Sequence, residues 1–67
     1  MNPRKTTGQI FKEARQNKGL TQVELAKKSG VHSNTIAKIE RDEQDPSFAT
    51  IKKLAKILDV DISNLPA

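Results

Sequence analysis

Residues 22–39 read QVELAKKSGVHSNTIAKI, and this stretch decides the fold. Two helices that cross steeply through a tight turn need a small residue where they touch and a turn residue that tolerates positive φ. Ala26 stands in the first helix, and Gly30 follows four residues later. Ile36 and Ile39 then lie three apart, on one face of a second helix. The spacing therefore predicts a helix-turn-helix.

The rest of the chain divides into short helical segments, and no stretch shows the alternation typical of a strand. Thr21 and Glu24 form a capping-box pattern that opens a two-turn helix, which Gly30 ends. The other predicted helices span Thr7–Lys18, Ser33–Arg41, Phe48–Leu58 and Ile62–Leu65. Val23 and Phe48 are among the apolar residues available for burial. Because each apolar face is too small to be stable alone, we predict an all-α fold of five helices around one compact core.

Length and composition predict one small domain. We expect residues 1–6 to be a flexible basic arm and residues 7–67 to form the domain. The sequence has no cysteine, so it predicts neither a disulfide nor a thiolate metal site, and it shows no ligand set for a cofactor. Apolar runs are too short for a membrane span, and the polar Met1–Thr6 does not resemble a secretory signal, so we expect a cytoplasmic protein.

Positive charge is concentrated in the first part of the chain. Residues 1–41 hold nine bases and three acids, a net charge of +6, whereas residues 42–67 hold three bases and five acids, a net charge of −2. A basic front half suits a polyanionic partner such as nucleic acid. Lysine is also a common solvated helix residue, so charge alone leaves both interpretations open.

The free face of the second helix carries residue types that can read DNA. Four small or polar residues share that face: Ser33, Asn34, Ala37 and Lys38. Asparagine can bind adenine bidentately, lysine can reach the acceptors of guanine, and alanine can contact the methyl group of thymine. Any one of these residues alone would be an ordinary solvated position. Together with the helix-turn-helix spacing, they favour base contacts in the major groove.

The identity and spacing of further residues along the chain are also informative. These residues are Gly8, Phe11, Arg15, Gly19-Leu20-Thr21-Gln22, Leu25-Ala26, Gly30-Val31, Thr35-Ile36, Ile39-Glu40, Pro46-Ser47, Leu58, Val60 and Leu65. With this set, the chain resembles the phage repressor and Cro type of helix-turn-helix domain, often called XRE-like. The resemblance covers nearly the whole chain, and it implies a compact five-helix repressor-like fold with the Ser33–Arg41 helix as the recognition helix.

The resemblance also implies roles for residues outside the free face. Gln22 would contact phosphate and brace the recognition helix, while Arg15 and Glu40 match a structural ion pair between the first and third helices. The candidate phosphate contacts are Gln22, Thr35, Lys38, Arg41, His32 and the backbone amide of Ser47. For His32, a weak helix cap or a solvated turn residue is the favoured interpretation.

Two features depart from the family pattern. Asp42 and Asp59 stand where glycine usually follows the third and fourth helices, and aspartate tolerates the left-handed backbone expected there. The acidic run of Asp42, Glu43 and Asp45 lies in a loop that the family often places near the DNA backbone. This run argues against a strong phosphate contact from the loop side chains.

We therefore expect a repressor-type transcriptional regulator that binds double-stranded DNA. Proteins of this type usually dimerise on palindromic operators, with two recognition helices about 34 Å apart. The candidate interface is the C-terminal region, with Ile57, Ile62 and Leu65, which are equally expected to cap the core. A protein-interaction module, such as an antitoxin or co-regulator, is the alternative. With one histidine, no cysteine and no paired carboxylates in a pocket-forming context, neither an enzyme nor a small-molecule site is predicted.

Overall fold

The computed structural model describes residues 5–66, so residues 1–4, the greater part of the predicted basic arm, lie outside the described residues, as does residue 67. The described chain forms four α-helices: α1 (Thr7–Asn17), α2 (Gln22–Ser29), α3 (Ser33–Glu40) and α4 (Phe48–Leu58). No residue from 5 to 66 belongs to a strand. Nor does any helix in this range have the length and apolar character needed to cross a membrane. The fold is all-α, and α2 and α3 form the helix-turn-helix.

The prediction of a fifth helix is wrong, because Ile62–Asn64 forms only a single turn of 3-10 helix. Asp61 begins this turn by accepting a hydrogen bond from the backbone N–H of Ser63 at 3.0 Å. Leu65 is already extended, with φ −80° and ψ 147°. The residue before a proline is driven out of the helical region, so Pro66 ends the turn before a full helix can form.

Side-chain caps determine where the helices begin. The hydroxyl of Thr21 accepts the N–H of Glu24 at 3.0 Å, and the carboxylate of Glu24 accepts the N–H of Thr21 at 2.8 Å. The predicted capping box of α2 is therefore confirmed. Thr6 and Gln9 form a second capping box at the start of α1, which the sequence analysis did not identify.

Residues in the left-handed conformation end the helices. Gly19 and Gly30 have φ of 68° and 78° after α1 and α2. Asp42 and Asp59, with φ of 59° and 56°, take the same conformation after α3 and α4, as expected. This conformation turns the following N–H groups back towards the last carbonyls of the helix, which would otherwise be unpaired.

The core is formed by one stripe of each α-helix and by the turn before α3. Its buried residues are Phe11, Leu25, Val31, Ile36, Ile39, Leu54, Ala55 and Leu58. α3 packs against α1 and α2, and α4 packs against the same two helices. Val23 and Phe48 are instead 55% and 65% exposed, so their predicted burial is wrong. At 100° per residue, Val23 is rotated roughly 200° around α2 from the buried Leu25. Phe48 is rotated roughly 240° around α4 from the buried Leu54.

The start of α1 lies directly against the end of α3. A Cβ atom on Gly8 would lie 2.2 Å from the carbonyl oxygen of Ile39 and 2.7 Å from Oδ1 of Asp42. Only glycine lets the two backbones approach this closely. The position of α3 on the domain is therefore set by backbone contact as well as by the apolar core.

Candidate nucleic-acid interface

α3 has a buried face and an exposed polar face. Ile36 and Ile39 are each 1% exposed and face the core. Asn34 and Lys38 are exposed and lie four residues apart, one helical turn along the opposite face. The other candidate base-contacting and phosphate-contacting residues within this helix are half-buried: Ser33, Thr35 and Ala37. The structure therefore presents an outward polar surface on a helix whose other side is anchored.

A buried hydrogen-bond network anchors the C-terminal end of α3. Nε of Arg15 donates to Oε2 of Glu40 at 2.7 Å, and Nη2 donates to Oε1 at 3.0 Å. The third donor of the same guanidinium, Nη1, reaches the carbonyl oxygen of Leu20 at 2.7 Å. The side-chain amide of Gln22 also donates to Oε1 of Glu40, at 3.0 Å. The carboxylate of Glu40 thus joins α3 to Arg15 on α1 and to the first residue of α2, while Arg15 in turn holds the α1–α2 turn.

The network is satisfied and almost free of solvent. The side chains of Arg15 and Glu40 are 12% and 3% exposed. Hydrogen bonding and charge from Glu40 raise the pKa of Arg15 above the ordinary arginine value, although burial alone would lower it. Among the described residues, no buried side-chain nitrogen or oxygen lacks a hydrogen-bond partner. Because unpaired buried charges are costly, this arrangement favours one orientation of α3.

The candidate phosphate contacts outside the body of α3 lie at helix ends. His32 precedes α3 and is exposed, and its side chain makes no capping hydrogen bond, so the interpretation as a solvated turn residue stands. Ser47 precedes α4, and its hydroxyl accepts the N–H of Thr50 at 3.1 Å. Arg41 is the exposed residue that follows α3. The side chain of Gln22 is joined to the C-terminal end of α3 by its hydrogen bond to Glu40, whereas no described hydrogen bond joins Ser47 to α3.

The sequence did not reveal the contacts that two residues of the acidic loop, Asp42 and Glu43, make. Arg41 donates Nε and Nη2 to the two carboxylate oxygens of Glu43, at 2.8 and 3.1 Å. Asp42 accepts the hydroxyl of Thr6 at 2.7 Å and the N–H of Gly8 at 3.3 Å. The run of acidic residues in the sequence indicated that the loop could form such contacts. Which partners it reaches depends on how the loop folds back.

A family model described as helix-turn-helix matches residues 11–65, which include all of α2, α3 and α4. The chain belongs to the XRE-like helix-turn-helix family. This membership confirms the resemblance inferred from the sequence. The matched residues include the anchored face of α3 and both members of the ion pair between Arg15 and Glu40.

Similar proteins are regulators by name. The chain is 40% identical over 58 residues to the immunity repressor protein of Bacillus phage phi105, covering 87% of this chain and 40% of that protein. It is 42% identical over 53 residues to the HTH-type transcriptional regulator ImmR of Bacillus subtilis (strain 168), covering 79% of this chain and 42% of the regulator. The chain thus spans about two fifths of the length of these curated relatives.

A solved structure shares the fold over nearly the whole of both chains. It is the crystal structure of the restriction-modification controller protein C.AhdI from Aeromonas hydrophila. The TM-score is 0.81 and the sequence identity is 37%, with 88% of this chain and 89% of the controller protein covered. The arrangement of helices around α2 and α3 is therefore also found in a restriction-modification controller protein.

Proposed function

We propose that this domain acts as a repressor-type transcriptional regulator that binds double-stranded DNA sequence-specifically, with α3 in the major groove. The observation that carries the proposal is the division of α3 into a face anchored by Ile36, Ile39 and Glu40 and an exposed polar face. The major groove, about 12 Å wide, admits an α-helix of about 10–12 Å diameter. The names of the relatives support the same activity.

Base contacts would come from the polar face of α3. The side-chain amide of Asn34 can bond adenine at N6 and N7, and the ammonium group of Lys38 can reach O6 or N7 of guanine. Ser33 can donate a hydrogen bond to a base edge or accept one from it, and Ala37 can contact a thymine methyl. Asn34 and Lys38 are the exposed members of this set, so they are expected to contribute most to sequence preference.

Phosphate contacts would hold α3 in register. The proposed set contains Gln22, His32, Thr35, Lys38, Arg41 and the amide of Ser47. The N-termini of α2 and α4 present unpaired backbone N–H groups, and the helix dipole adds a partial positive charge there. These contacts fix orientation on the duplex without reading sequence.

Two copies are proposed to bind a palindromic operator through the C-terminal region. Ile57 and Leu65 pack against the core, whereas Ile62 is 39% exposed. Ile57 and Leu65 are partly buried, so Ile62 is the most exposed of the three candidate interface residues. Twofold symmetry would place the two α3 helices about one DNA turn, roughly 34 Å, apart.

Selection of bound duplexes from a random library tests the proposal, followed by affinity measurements on the selected site. Asn34→Ala should weaken binding about 5- to 150-fold and relax one adenine preference in each half-site, as expected for the loss of one bidentate base contact. Asn17→Ala makes the same change at the exposed end of α1 and should leave both properties unchanged.

Each result bears on a separate part of the proposal. A library that yields no enriched sequence would refute sequence-specific DNA binding. An enriched site that Asn34→Ala binds with unaltered affinity and preference would remove Asn34 from base recognition. A selected site without twofold symmetry would refute the proposed dimer.

A further inference from the structure

The exposed face of α3 ends in an arginine whose charge is already neutralised. Asn34, Lys38 and Arg41 lie four and three residues apart, so at 100° per residue they fall within about 60° of one another. Arg41 makes a bidentate ion pair with Glu43, with N–O distances of 2.8 and 3.1 Å. Lys38 has no ion pair within residues 5–66. Of the two cations on this stripe, only Arg41 has an internal counter-ion.

The backbone after α3 holds Glu43 close to the helix. The N–H of Glu43 donates to the carbonyl oxygen of Lys38 at 2.9 Å. The N–H of Asp42 donates to the carbonyl oxygen of Ile39 at 3.0 Å, which completes the paired hydrogen bonds of a Schellman motif. Asp42 is also tied to Thr6, across the start of α1, at 2.7 Å. The carboxylate of Glu43 therefore reaches Arg41 from an ordered turn.

We propose that Glu43 lowers the affinity of this domain for the DNA backbone by competing with phosphate for the guanidinium of Arg41. The inference rests on the proposed function, because it requires α3 to face DNA. Carboxylate and phosphate oxygens bind the planar guanidinium fork in the same bidentate geometry. While Glu43 occupies the Nε–Nη2 edge of Arg41, a phosphate is left with the Nη1 side of the fork and is repelled by the neighbouring carboxylate.

The ion pair is supported by the electrostatics of the turn. Hydrogen bonding and charge from Arg41 lower the pKa of Glu43, and the charge of Lys38 lowers it further. At neutral pH the carboxylate is therefore ionised, and it is paired with Arg41. Removing its charge would free the guanidinium and increase the local positive potential towards DNA.

The effect should be independent of DNA sequence. Arg41 follows the base-reading segment 33–38, and phosphate contacts carry no base preference. One additional phosphate contact steepens the slope of log K against log salt concentration by about 0.9. Over a fourfold salt range this corresponds to about a 3.5-fold change in affinity. The affinity gained by Glu43→Gln should therefore be about 3.5-fold greater at roughly 50 mM than at roughly 200 mM salt.

Fluorescence anisotropy on a labelled random-sequence duplex, measured across salt concentrations, tests the inference. The wild type is compared with Glu43→Gln and with Asp45→Asn. The control removes the same charge from the same loop, and Asp45 is exposed and forms no ion pair among the described residues. Glu43→Gln should steepen the slope by about 0.9 relative to Asp45→Asn. Equal slopes would overturn the proposal, because the effect would then be one of net charge.

An Arg41→Ala background identifies the group through which Glu43 acts. In that background Glu43→Gln should change the slope no more than Asp45→Asn does. A persistent difference would mean that Glu43 repels phosphate directly, and it would overturn the competition. Weaker binding by Glu43→Gln in the presence of Arg41 would also overturn it, because the acid would then be positioning the arginine for DNA.

Failure of the proposed function gives a different result from failure of this inference. A wild-type domain with no salt-dependent affinity for any duplex refutes DNA binding, and the role of Glu43 falls with it. A wild-type domain with a steep slope that Glu43→Gln and Asp45→Asn share refutes only the role of Glu43. Thermal denaturation of each variant confirms that the helices are intact in the comparison.

Discussion

Replacing Arg15 by alanine should strongly destabilise this domain. The substitution removes two hydrogen bonds to the carboxylate of Glu40 and one to the carbonyl oxygen of Leu20. Glu40, whose side chain is 3% exposed, would keep only the hydrogen bond from Gln22. The carboxylate must then stay charged without a counter-ion, take up a proton or draw water into the structure. Each outcome lowers the free energy of unfolding.

The size of the effect follows from the geometry. Breaking a buried ion pair by removing one partner costs about 3–5 kcal/mol, and the remaining bond from Gln22 favours the lower end, about 3 kcal/mol. A domain of 67 residues has a total stability of about 3–10 kcal/mol, at about 0.05–0.15 kcal/mol per residue. At about 4–8 °C per kcal/mol, the loss lowers Tm by about 12–24 °C. The Arg15→Ala variant should therefore lose between about a third and nearly all of the wild-type stability.

Urea denaturation followed by helical circular dichroism measures this loss. Glu13→Ala is the control, because it removes an exposed ion pair with Lys5, at 2.6 Å, whose side chains are 61% and 50% exposed. Exposed pairs contribute less than about 1 kcal/mol. If Arg15→Ala also lost less than about 1 kcal/mol, the buried network would not be the anchor of α3. Unchanged stability with lost operator binding would instead make Arg15 a DNA contact.

Gly8→Ala should destabilise the domain by about 1–3 kcal/mol, because the added Cβ would lie 2.2 Å from the carbonyl oxygen of Ile39, which belongs to a packed backbone. Lys12→Ala, at an exposed position of the same helix, should change stability by less than about 0.5 kcal/mol, and equal losses would contradict the close approach. In an NMR pH titration, the pKa of Glu24 should lie below the ordinary glutamate value. The hydrogen bond with the backbone of Thr21 lowers this pKa most, and the hydrogen bond with the side chain of Thr21 lowers it further. The stabilisation that ionised Glu24 contributes is present above its pKa in the unfolded chain and is lost as pH falls through its lower folded-state pKa. The Glu24→Gln variant should therefore lose less stability than wild type on acidification. A normal or raised pKa of Glu24 would refute the capping box.

Helix boundaries were largely predictable from local signals. α4 spans Phe48–Leu58 as predicted, and the capping box of Thr21 and Glu24 opens α2. Caps and left-handed residues act over a few positions along the chain, so their effect can be read without a tertiary structure. The last predicted helix, Ile62–Leu65, was placed too far for a local reason as well, because Pro66 not only stops the helix but also keeps Leu65 extended.

The exposed polar face of α3 was predictable too, whereas its surroundings were not. Helical periodicity places Asn34 and Lys38 opposite the buried isoleucines, and the structure agrees. The pairing of Arg15 with Glu40 was expected only from the family resemblance, since the two residues lie 25 positions apart. The addition of Gln22 to that pair as a third partner was visible only once α1, α2 and α3 were packed.

By itself, the sequence determined the helix-turn-helix, the helix starts and the exposed polar face of α3, because periodicity and capping depend on neighbours within one or two turns. Only the tertiary structure decided that Asp42 would bind Thr6, 36 positions away, and that Val23 and Phe48 would stay exposed. These outcomes depend on where separate helices come to lie in space. That arrangement is set by the close contact of α1 with α3 and by the shared core, and no single segment specifies either one.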